Sequence, residues 1–468
     1  MEKFNKKIIL ILSLFVVVFV AFVLYMTYFQ IVRAEDVARH EYNKRLWVDE
    51  NKIERGAIYD RNGNLLAETK KDSAGNNYRH YPKGIAFSNI IGYDSTQYGK
   101  NGLEKTFNNT LLNISKDTPL SELRNMVQST DKGNSLGLTI NSNVQEKAYS
   151  LLEGRKGSIV VMNPETGEIY AMSSRPGFDP NTLEADWEHL INNEDSPLLN
   201  RGTQGRYTPG SVFKVVTGTG ILENKDSIDL TMKDEGTITI DGYVIANFNK
   251  EVNGNTNLRR ALQKSSNVYF AQKGVEVGAE KMADVTKRNY IGEKIPFDLP
   301  QEASVNPFTP SMSKADLAAA SFGQGKTQVT PLNMTLVMSA IANEGKMMKP
   351  YVVGEVVSPD GETKKNVEPQ VLSEVMSEDI ANELLGDLRA VVQAGSEAAL
   401  SNVAVAGKSG TAEIKNKAST NSWFIATAPA NDPKFAVAVV LEDDGSYGGT
   451  TAAPIAREIL QSALNNID

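Results

Sequence analysis

The sequence contains no cysteine and only three histidines, and these two shortages exclude several kinds of catalytic site. Without cysteine there can be no disulfide, no thiolate nucleophile and no cysteine-ligated metal. The histidines, His40, His80 and His189, form no H-E-x-x-H pattern, so a zincin metalloprotease site is absent. None of them lies in a recognisable Ser-His-Asp pattern. If a serine is activated in this protein, we therefore expect its base to be a residue other than histidine.

Basic residues are also too few and too scattered to mark a nucleic-acid-binding surface. The chain has 49 Lys and Arg against 57 Asp and Glu, a net charge of −8, and no long basic run follows the first residues. Since phosphate binding needs clustered Lys and Arg, we expect no nucleic-acid partner. With 468 residues, 41 % of them hydrophobic and 23 % charged, the composition is that of a globular protein too long for one core. We therefore predict two or three domains.

One stretch, Ile8 to Val32, carries no charged side chain, and its first part is almost entirely Ile, Leu, Val and Phe. About 20 helical residues span a bilayer core, so this stretch is long enough for a transmembrane helix. Three lysines precede it, and the positive-inside rule then predicts a cytoplasmic tail at 1–7, an anchor at 8–32 and the rest of the chain outside. The alternative is a cleaved signal peptide, but the apolar run exceeds the usual h-region and no A-x-A site follows.

The pattern of the exported part changes near residue 146. Residues 33–145, called the pedestal below, predict a small α+β domain with a hairpin at Asn62-Gly63, a helical stalk at 34–50 and a helix near 119–129. Residues 146–468 predict one antiparallel sheet covered by helices. The expected strands are 157–163, 168–174, 403–407, 423–428 and 435–441, and the expected helices are 211–224, 257–277, 313–321, 331–343 and 452–466.

A serine and a lysine stand one helical turn apart at the predicted start of an apolar helix. Ser211 follows the Pro209-Gly210 turn, and Lys214 lies three residues later on the same face. The amine can therefore reach the hydroxyl, and a buried lysine near positive potential has a lowered pKa and can act as a base. The S-x-x-K pattern alone is weak, because it recurs at Ser129–Lys132 and Ser311–Lys314, where solvated helix surface explains it.

Two further short patterns follow along the chain. Ser265-Ser266-Asn267 would by itself be an ordinary polar turn between helices, since S-x-N recurs at Ser419–Asn421. Lys408-Ser409-Gly410-Thr411 contains the only K-[ST]-G of the chain and lies between apolar β runs, so it predicts a strand. Gly410 would let a substrate backbone pack close to that strand. The simpler interpretation is a plain lysine on an edge strand.

The order S-x-x-K, S-x-N, K-[ST]-G resembles the signature of penicillin-binding proteins and class A β-lactamases. Further blocks are similar to class B penicillin-binding proteins, and most of all to the compact penicillin-binding protein A type. These blocks are residues 55–67 (RGAIYDRNGNLLA), Gly102-Leu103-Glu104, Pro197 to Arg201, Gly323-Gln324-Gly325 and Trp423-Phe424. The resemblance covers nearly everything after the anchor, although the pedestal is shorter than in the longer class B members.

The resemblance implies an α+β fold: a β-lactamase/transpeptidase-like domain at 146–468, with an antiparallel sheet flanked by helices, behind a transmembrane helix and the pedestal. It implies a serine D,D-transpeptidase that cross-links peptidoglycan stem peptides through an acyl-enzyme. β-Lactams would inhibit it by mimicking the substrate, and no metal or cofactor would be needed. It also implies a membrane partner, a multi-spanning glycosyltransferase of the shape, elongation or division class, bound through the anchor and the pedestal.

The resemblance also assigns roles to individual residues. Ser211 would attack the stem peptide, Lys214 would accept its proton, and Ser265 would relay that proton to the departing D-alanine. Asn267 would orient the substrate and Lys214, while Lys408 would tune the charge around both. The strand residues Ser409, Gly410 and Thr411 would hold the substrate, and backbone N–H groups of Ser211 and Thr411 would form the oxyanion hole.

In the pedestal we see no clustered acid/base pair, metal-ligand set or phosphate loop, and we predict a docking role. Arg55, Asp60 and Arg61 beside the Asn62-Gly63 turn are expected to hold its geometry by charge-assisted hydrogen bonds.

Four other functions fit the sequence less well. A β-lactamase would usually lack the membrane span and the pedestal. A β-lactam-sensing receptor would carry more spans and a cytoplasmic metalloprotease. A catalytically dead scaffold is disfavoured because all the motif residues are present. A glycosyltransferase is disfavoured because the region before residue 146 is too short to contain its domain.

Overall fold

A computed structural model describes residues 2–29, 53–114, 131–393, 395–414 and 419–467 of the chain. Three predictions fall outside these residues: the stalk at 34–50, the helix near 119–129, and the last part of the anchor, 30–32. The described strands are β1 Ile58–Tyr59, β2 Leu65–Lys71, β3 Asn77–His80, β4 Asp94–Ser95, β5 Gly99–Lys100, β6 Ser135–Leu138, β7 Lys156–Met162, β8 Ile169–Arg175, β9 Met232–Asp234, β10 Thr237–Ile240, β11 Tyr243–Ala246, β12 Gly254–Thr256, β13 Lys346–Met348, β14 Val353–Val357, β15 Thr363–Asn366, β16 Val371–Glu374, β17 Ala406–Glu413, β18 Thr420–Ala428 and β19 Phe435–Glu442.

The helices are interspersed among these strands along the chain. The described α-helices are α1 Glu2–Tyr28, α2 Ser88–Ile91, α3 Gly102–Thr106, α4 Asn108–Leu111, α5 Ser142–Leu151, α6 Leu183–Ile191, α7 Lys214–Glu223, α8 Leu258–Gln263, α9 Asn267–Val277, α10 Ala279–Arg288, α11 Lys314–Ser321, α12 Pro331–Ala342, α13 Glu378–Gln393 and α14 Ala452–Leu464. In the described part of the chain there are also three short 3-10 helices: Gly84–Phe87, Gly210–Phe213 and Phe248–Lys250.

The predicted α+β fold with an antiparallel sheet flanked by helices is confirmed. Strands pair in the order β17-β18-β19-β7-β8, every neighbour antiparallel. Helices cover both faces of this sheet, with α12 on one side and α5 and α14 on the other, and the strands β7, β18 and β19 are accordingly apolar on both faces. The strand predicted at 403–407 begins later, at Ala406, and continues through the K-S-G residues to Glu413.

Helix α12 is the central buried helix behind this sheet. Pro331 occupies the first turn, and the Thr330 side chain caps the helix by accepting a hydrogen bond from the Asn333 backbone N–H. All twelve of its residues are buried. A helix that is apolar all round belongs in a core, so the sequence-based prediction of a buried helix is confirmed.

Four pedestal strands, β1, β2, β3 and β6, lie in a second sheet, whose order is β15-β14-β6-β1-β2-β3. The predicted Asn62-Gly63 turn joins β1 to β2 as an antiparallel hairpin, with Gly63 at a φ of 78°. Two strands of this sheet, β14 and β15, come from far along the chain and were not predicted. For β15 the reason is that its sequence, TKKN, has no apolar residue and so lacks the apolar alternation that marks a strand.

The three charged residues beside the hairpin do not form one cluster. Arg55 is buried and bonds Glu104, with Nε 2.5 Å from Oε2. Asp60 accepts hydrogen bonds from the Asn62, Asn64 and Ser142 backbone N–H groups, which fixes the turn and the start of α5. Arg61 donates to the Thr139 carbonyl and stacks over a tyrosine ring. Each therefore holds a different part of the pedestal and of its junction with the following residues.

Helix α1 is the one described helix that is long and apolar enough to cross a membrane. Its apolar side chains are exposed rather than packed against the protein; Leu10 is 72 % exposed and Phe15 71 %. A helix of this composition with no protein partner for its surface fits a bilayer environment. The structure is thus consistent with a single N-terminal anchor.

Candidate active site

The Ser211 turn is held between two other segments by glycines. Ser211 lies in the 3-10 turn Gly210–Phe213 that leads into α7, so the predicted helix at 211–224 begins with a tighter turn. Gly210 has a φ of 57°, and its backbone N–H donates to the Gly323 carbonyl at 3.0 Å. A Cβ on Gly323 would stand 2.0 Å from the Gly210 carbonyl oxygen. The Gly323-Gln324-Gly325 block therefore fixes the position of Ser211.

The Ser265-Ser266-Asn267 segment breaks the helix predicted at 257–277 into α8 and α9. Ser265 has a φ of 52°, a left-handed conformation that no continuous helix can contain. Ser266 then caps α9, because its hydroxyl accepts a hydrogen bond from the Tyr269 backbone N–H at 2.9 Å. Asn267 is the first residue of α9. This turn directs the Ser265 and Asn267 polar groups towards Lys214.

The K-S-G residues lie in β17, the edge strand of the sheet, and alternate between its two faces. Ser409 and Thr411 are half-buried, while Lys408 and Gly410 are buried. Lys408 is only 1 % exposed, and Nζ donates to the Ser265 hydroxyl at 3.0 Å. The interpretation as a plain edge-strand lysine, which would be solvated, is wrong.

Gly410 is required by contacts inside the protein. A Cβ there would stand 2.7 Å from the Pro209 carbonyl oxygen and 3.0 Å from Val212 Cγ1. The Ser211 turn thus packs directly on β17. The expectation that Gly410 admits a substrate backbone stays a prediction, but the structure supplies another reason for the glycine.

Lys214 is the centre of the site. Its amine lies 2.9 Å from Ser211 Oγ, 2.8 Å from Asn267 Oδ1, 2.6 Å from the Ser265 carbonyl oxygen and 3.3 Å from Ser265 Oγ. With Lys408 on the far side of Ser265 Oγ, the polar atoms form a continuous chain from Ser211 to Lys408. All five residues predicted as catalytic are therefore brought together by hydrogen bonds.

The two lysines are held in an environment that disfavours their charged forms. Burial lowers the pKa of Lys214 well below its ordinary value of 10.5, the nearby Lys408 lowers it further, and Asp234 opposes both effects. Burial lowers the pKa of Lys408 to about 7. A neutral Lys214 can donate its two N–H groups to Ser265 O and Asn267 Oδ1 and keep its lone pair for the Ser211 hydroxyl. In this geometry a neutral lysine could act as a base towards the serine.

The repeated patterns used as comparisons lie elsewhere. Ser311 and Lys314 are both exposed on the surface. Ser129 lies outside the described residues, and Lys132 is exposed. Asn421 is a buried residue of β18, and its side chain accepts a hydrogen bond from the Asp443 backbone N–H. None of the described residues among them takes part in the hydrogen bonds around Lys214.

Two residues that support the site were missed from the sequence. Asn247 Oδ1 accepts hydrogen bonds from the backbone N–H groups of Asn267 and Val268, and the buried Asp234 accepts from the Asn247 side chain. Neither residue belongs to a recognisable pattern, and both lie in a segment of short strands before α8. A single sequence contained no signal for them.

With this geometry established, three comparisons place the chain among known proteins. Residues 157–461 match the family model of the penicillin-binding protein transpeptidase domain, and residues 55–136 match that of the penicillin-binding protein A dimerisation domain. The peptidoglycan D,D-transpeptidase PbpA of Mycolicibacterium smegmatis is 32 % identical over 464 residues, covering 93 % of this chain and 94 % of the relative.

Solved structures are similar over most of the chain. The ceftriaxone acyl-enzyme complex of penicillin-binding protein A from Mycobacterium tuberculosis has a TM-score of 0.83 at 28 % identity, covering 89 % of this chain and 100 % of that one. The D,D-transpeptidase domain of a peptidoglycan glycosyltransferase from Eggerthella lenta has a TM-score of 0.80 at 36 % identity, covering 88 % of this chain and 99 % of that one.

Proposed function

Because this chain belongs to the family of penicillin-binding proteins with a transpeptidase domain, we propose that Ser211 is the nucleophile of a peptidoglycan cross-linking reaction. The chain is a serine D,D-transpeptidase of class B, and penicillin binds to it as an acylating inhibitor. The observation that supports Ser211 best is the position of Lys214 Nζ, which lies 2.9 Å from the Ser211 hydroxyl and also contacts Ser265 and Asn267.

The first half-reaction forms an ester on Ser211. Its oxygen attacks the carbonyl carbon between the two terminal D-alanines, and its proton passes to the neutral amine of Lys214. The C–N bond then breaks, and the departing D-alanine nitrogen receives a proton through the Ser265 hydroxyl, which lies between the amines of Lys214 and Lys408. The products are the acyl-enzyme and free D-alanine.

The second half-reaction reverses these proton movements. An amine of a second stem peptide attacks the ester carbonyl and gives up a proton through Ser265 and Lys214. The C–O bond to Ser211 breaks, and the serine oxygen regains a proton from Lys214. A new amide joins the two stems, so atoms and protons balance over the cycle. A β-lactam ring follows only the first half and leaves Ser211 acylated, because its leaving amine stays attached to the acyl group.

The strand β17 supplies the substrate contacts. Ser409 and Thr411 are half-buried on one face of the strand, and the amine of the buried Lys408 donates to the Ser409 carbonyl at 2.9 Å. The two hydroxyls and this amine bind the terminal carboxylate of the stem. The backbone N–H groups of Ser211 and Thr411 bind the oxyanion. A Cβ on Gly210 would stand 2.5 Å from the Thr411 carbonyl oxygen, so the two segments that would form the oxyanion hole lie in direct contact.

The chain divides into a cytoplasmic tail at 1–7, a transmembrane anchor at 8–32, the pedestal at 33–145 and the catalytic domain at 146–468. Three lysines before the apolar helix support a cytoplasmic amino terminus and an extracytoplasmic catalytic domain. The pedestal and the anchor bind a multi-spanning glycosyltransferase that makes the glycan strands. The buried Arg55–Glu104 pair supports a structural role for the pedestal.

Labelling of the full chain in detergent with a fluorescent penicillin tests the assignment of Ser211. Ser211→Ala should abolish labelling, whereas the matched Ser311→Ala, which alters an exposed serine of the same S-x-x-K pattern, should label like the unchanged protein. Labelling of folded Ser211→Ala protein would refute the assignment, as would loss of labelling in Ser311→Ala.

A further inference from the structure

A buried carboxylate lies directly behind the catalytic turn. Asp234 ends β9 and is fully buried. Its oxygens accept hydrogen bonds from Asn253 Nδ2 at 2.7 Å, Ser266 Oγ at 2.6 Å, the Gly236 backbone N–H at 2.9 Å and Asn247 Nδ2 at 2.9 Å. Among the described residues no lysine, arginine or histidine comes within salt-bridge distance of it. A buried charge held only by neutral donors is costly, so a specific role for this carboxylate is worth seeking in its contacts.

The donors to this carboxylate lead straight to the catalytic base. Ser266 is the middle residue of the catalytic turn, and its hydroxyl both donates to Asp234 and caps α9. Asn247 donates its amide to Asp234 and turns its Oδ1 to the Asn267 backbone N–H. Asn267 Oδ1 in turn lies 2.8 Å from Lys214 Nζ. The carboxylate thus sets the amide orientation of Asn247 and the position of Asn267.

We propose that Asp234 is a positioning residue for the acylation of Ser211, orienting Asn267 and the base Lys214 from behind through Ser266 and Asn247. This inference rests on the proposed function of those residues. A carboxylate suits the position because it can only accept hydrogen bonds, and all its partners are hydrogen-bond donors. An asparagine there would turn an N–H group towards at least one of these donors.

Asp234 also contributes its charge to the site. Burial alone would raise its pKa, but the hydrogen bonds from Asn253, Ser266, Gly236 and Asn247 hold the pKa below its usual value, so the group is ionised at neutral pH. The charged groups that face Lys214 are Lys408 from β17 and Asp234 from β9, and the ring of Phe270 from α9 lies 5.7 Å from its amine. Asp234 therefore offsets part of the repulsion between the two buried lysines.

The pH dependence of acylation separates this role from a structural one. In Asp234→Asn, full-length protein labelled with a fluorescent penicillin across a pH series should show a maximal acylation rate lower by about tenfold, the loss expected for a misaligned charge-assisted hydrogen bond. The acid limb of the profile should also move to lower pH, because loss of the negative charge lowers the pKa of Lys214. An acid limb at the same pH as in the unchanged protein would overturn the proposal.

Asp60→Asn is the matched control, since Asp60 is another buried carboxylate held by neutral N–H donors, in the pedestal. It should lower stability without moving the acid limb, and a limb that moves equally in both variants would overturn the proposal.

If Asp234→Asn does not fold, Asn253→Ala removes one donor to the carboxylate without touching the catalytic turn. Acylation should then slow at least about threefold, and an unchanged rate would refute the positioning role. Labelling of Ser211→Ala would instead refute the proposed function itself.

Discussion

Replacement of Arg55 tests whether the pedestal is a structural unit separate from the chemistry. The Arg55 guanidinium is buried and bonds Glu104 Oε2 through Nε at 2.5 Å, with further contacts to Asn108 and, at 3.6 Å, to Asp94. Glu104 is fully buried and has a second partner, Arg79 Nε at 2.7 Å. Arg55→Ala therefore removes one of two cations from a buried carboxylate and leaves a cavity.

The expected loss of stability follows from these contacts. Breaking a buried ion pair by removing one partner costs about 3–5 kcal/mol. Glu104 keeps Arg79, and Asp94 keeps Lys100 at 3.2 Å, so neither carboxylate is left without a cation. We therefore expect a loss near the lower end, about 3 kcal/mol in the free energy of unfolding.

Urea denaturation of the full-length protein in detergent measures this loss, and fluorescent-penicillin labelling in the absence of urea measures acylation. The folded Arg55→Ala protein should acylate Ser211 at the unchanged rate. The control is Arg457→Ala, whose exposed ion pair with Glu397 spans 3.9 Å, and which should change stability by less than about 1 kcal/mol. If folded Arg55→Ala protein lost acylation, the pedestal would have to contribute to the catalytic site. A change in stability no larger than that of the control would refute the role of the buried pair.

Two predictions concern the buried lysines. Lys408→Ala should slow penicillin acylation by about 100-fold, the scale for loss of a group that stabilises developing charge. The temperature of thermal unfolding should change little. Burial disfavours the charged amine and lowers its pKa to about 7, so removing the amine relieves a cost that offsets the lost packing. Equal and modest losses in both measurements would contradict this role. The acylation rate of the unchanged protein should fall as pH falls through the pKa of Lys214, since a protonated amine cannot accept the serine proton, and this limb should lie well below the ordinary lysine value of 10.5. A rate that keeps rising up to that value would contradict Lys214 as a neutral base.

Periodicity and short patterns were enough to predict the catalytic sheet. Four of its strands were predicted because each is an apolar run bounded by turn residues, and the buried helix α12 because its sequence is largely apolar. The fifth strand, β17, was predicted from an apolar run at 403–407 and from the position of Lys408 to Thr411 between apolar β runs, and it shares only residues 406 and 407 with that first run. The catalytic turn was harder, since residues 257–277 have a helical pattern throughout. The left-handed φ of Ser265 ends α8, and the two residues that follow it, Ser266 and Asn267, are held by contacts from β9 and β11 that no local pattern encodes.

What sequence reasoning missed depends on contacts between distant segments. Three strands (β10, β11 and β12), a 3-10 helix and α8 separate Asp234 from Ser266 along the chain, and the two residues meet only because the chain folds back on itself. Strands β14 and β15 join the pedestal sheet from more than 200 residues away along the chain, as the pairing of Val353 with Leu138 shows. The sequence did not indicate that Lys408 is buried, since a lysine in a strand is usually exposed to solvent. These features follow from tertiary packing.

Peptide mapping of the penicillin adduct tests the assignment of the nucleophile most directly. Cleavage after Arg206 and Lys214 releases a peptide, residues 207–214, in which Ser211 is the only serine, and cleavage after Lys264 and Lys273 separates it from Ser265. After brief labelling of the full-length protein, mass spectrometry should place the penicilloyl group on Ser211 and on no other residue. An adduct on the peptide that contains Ser265, or on Ser311, would contradict the account.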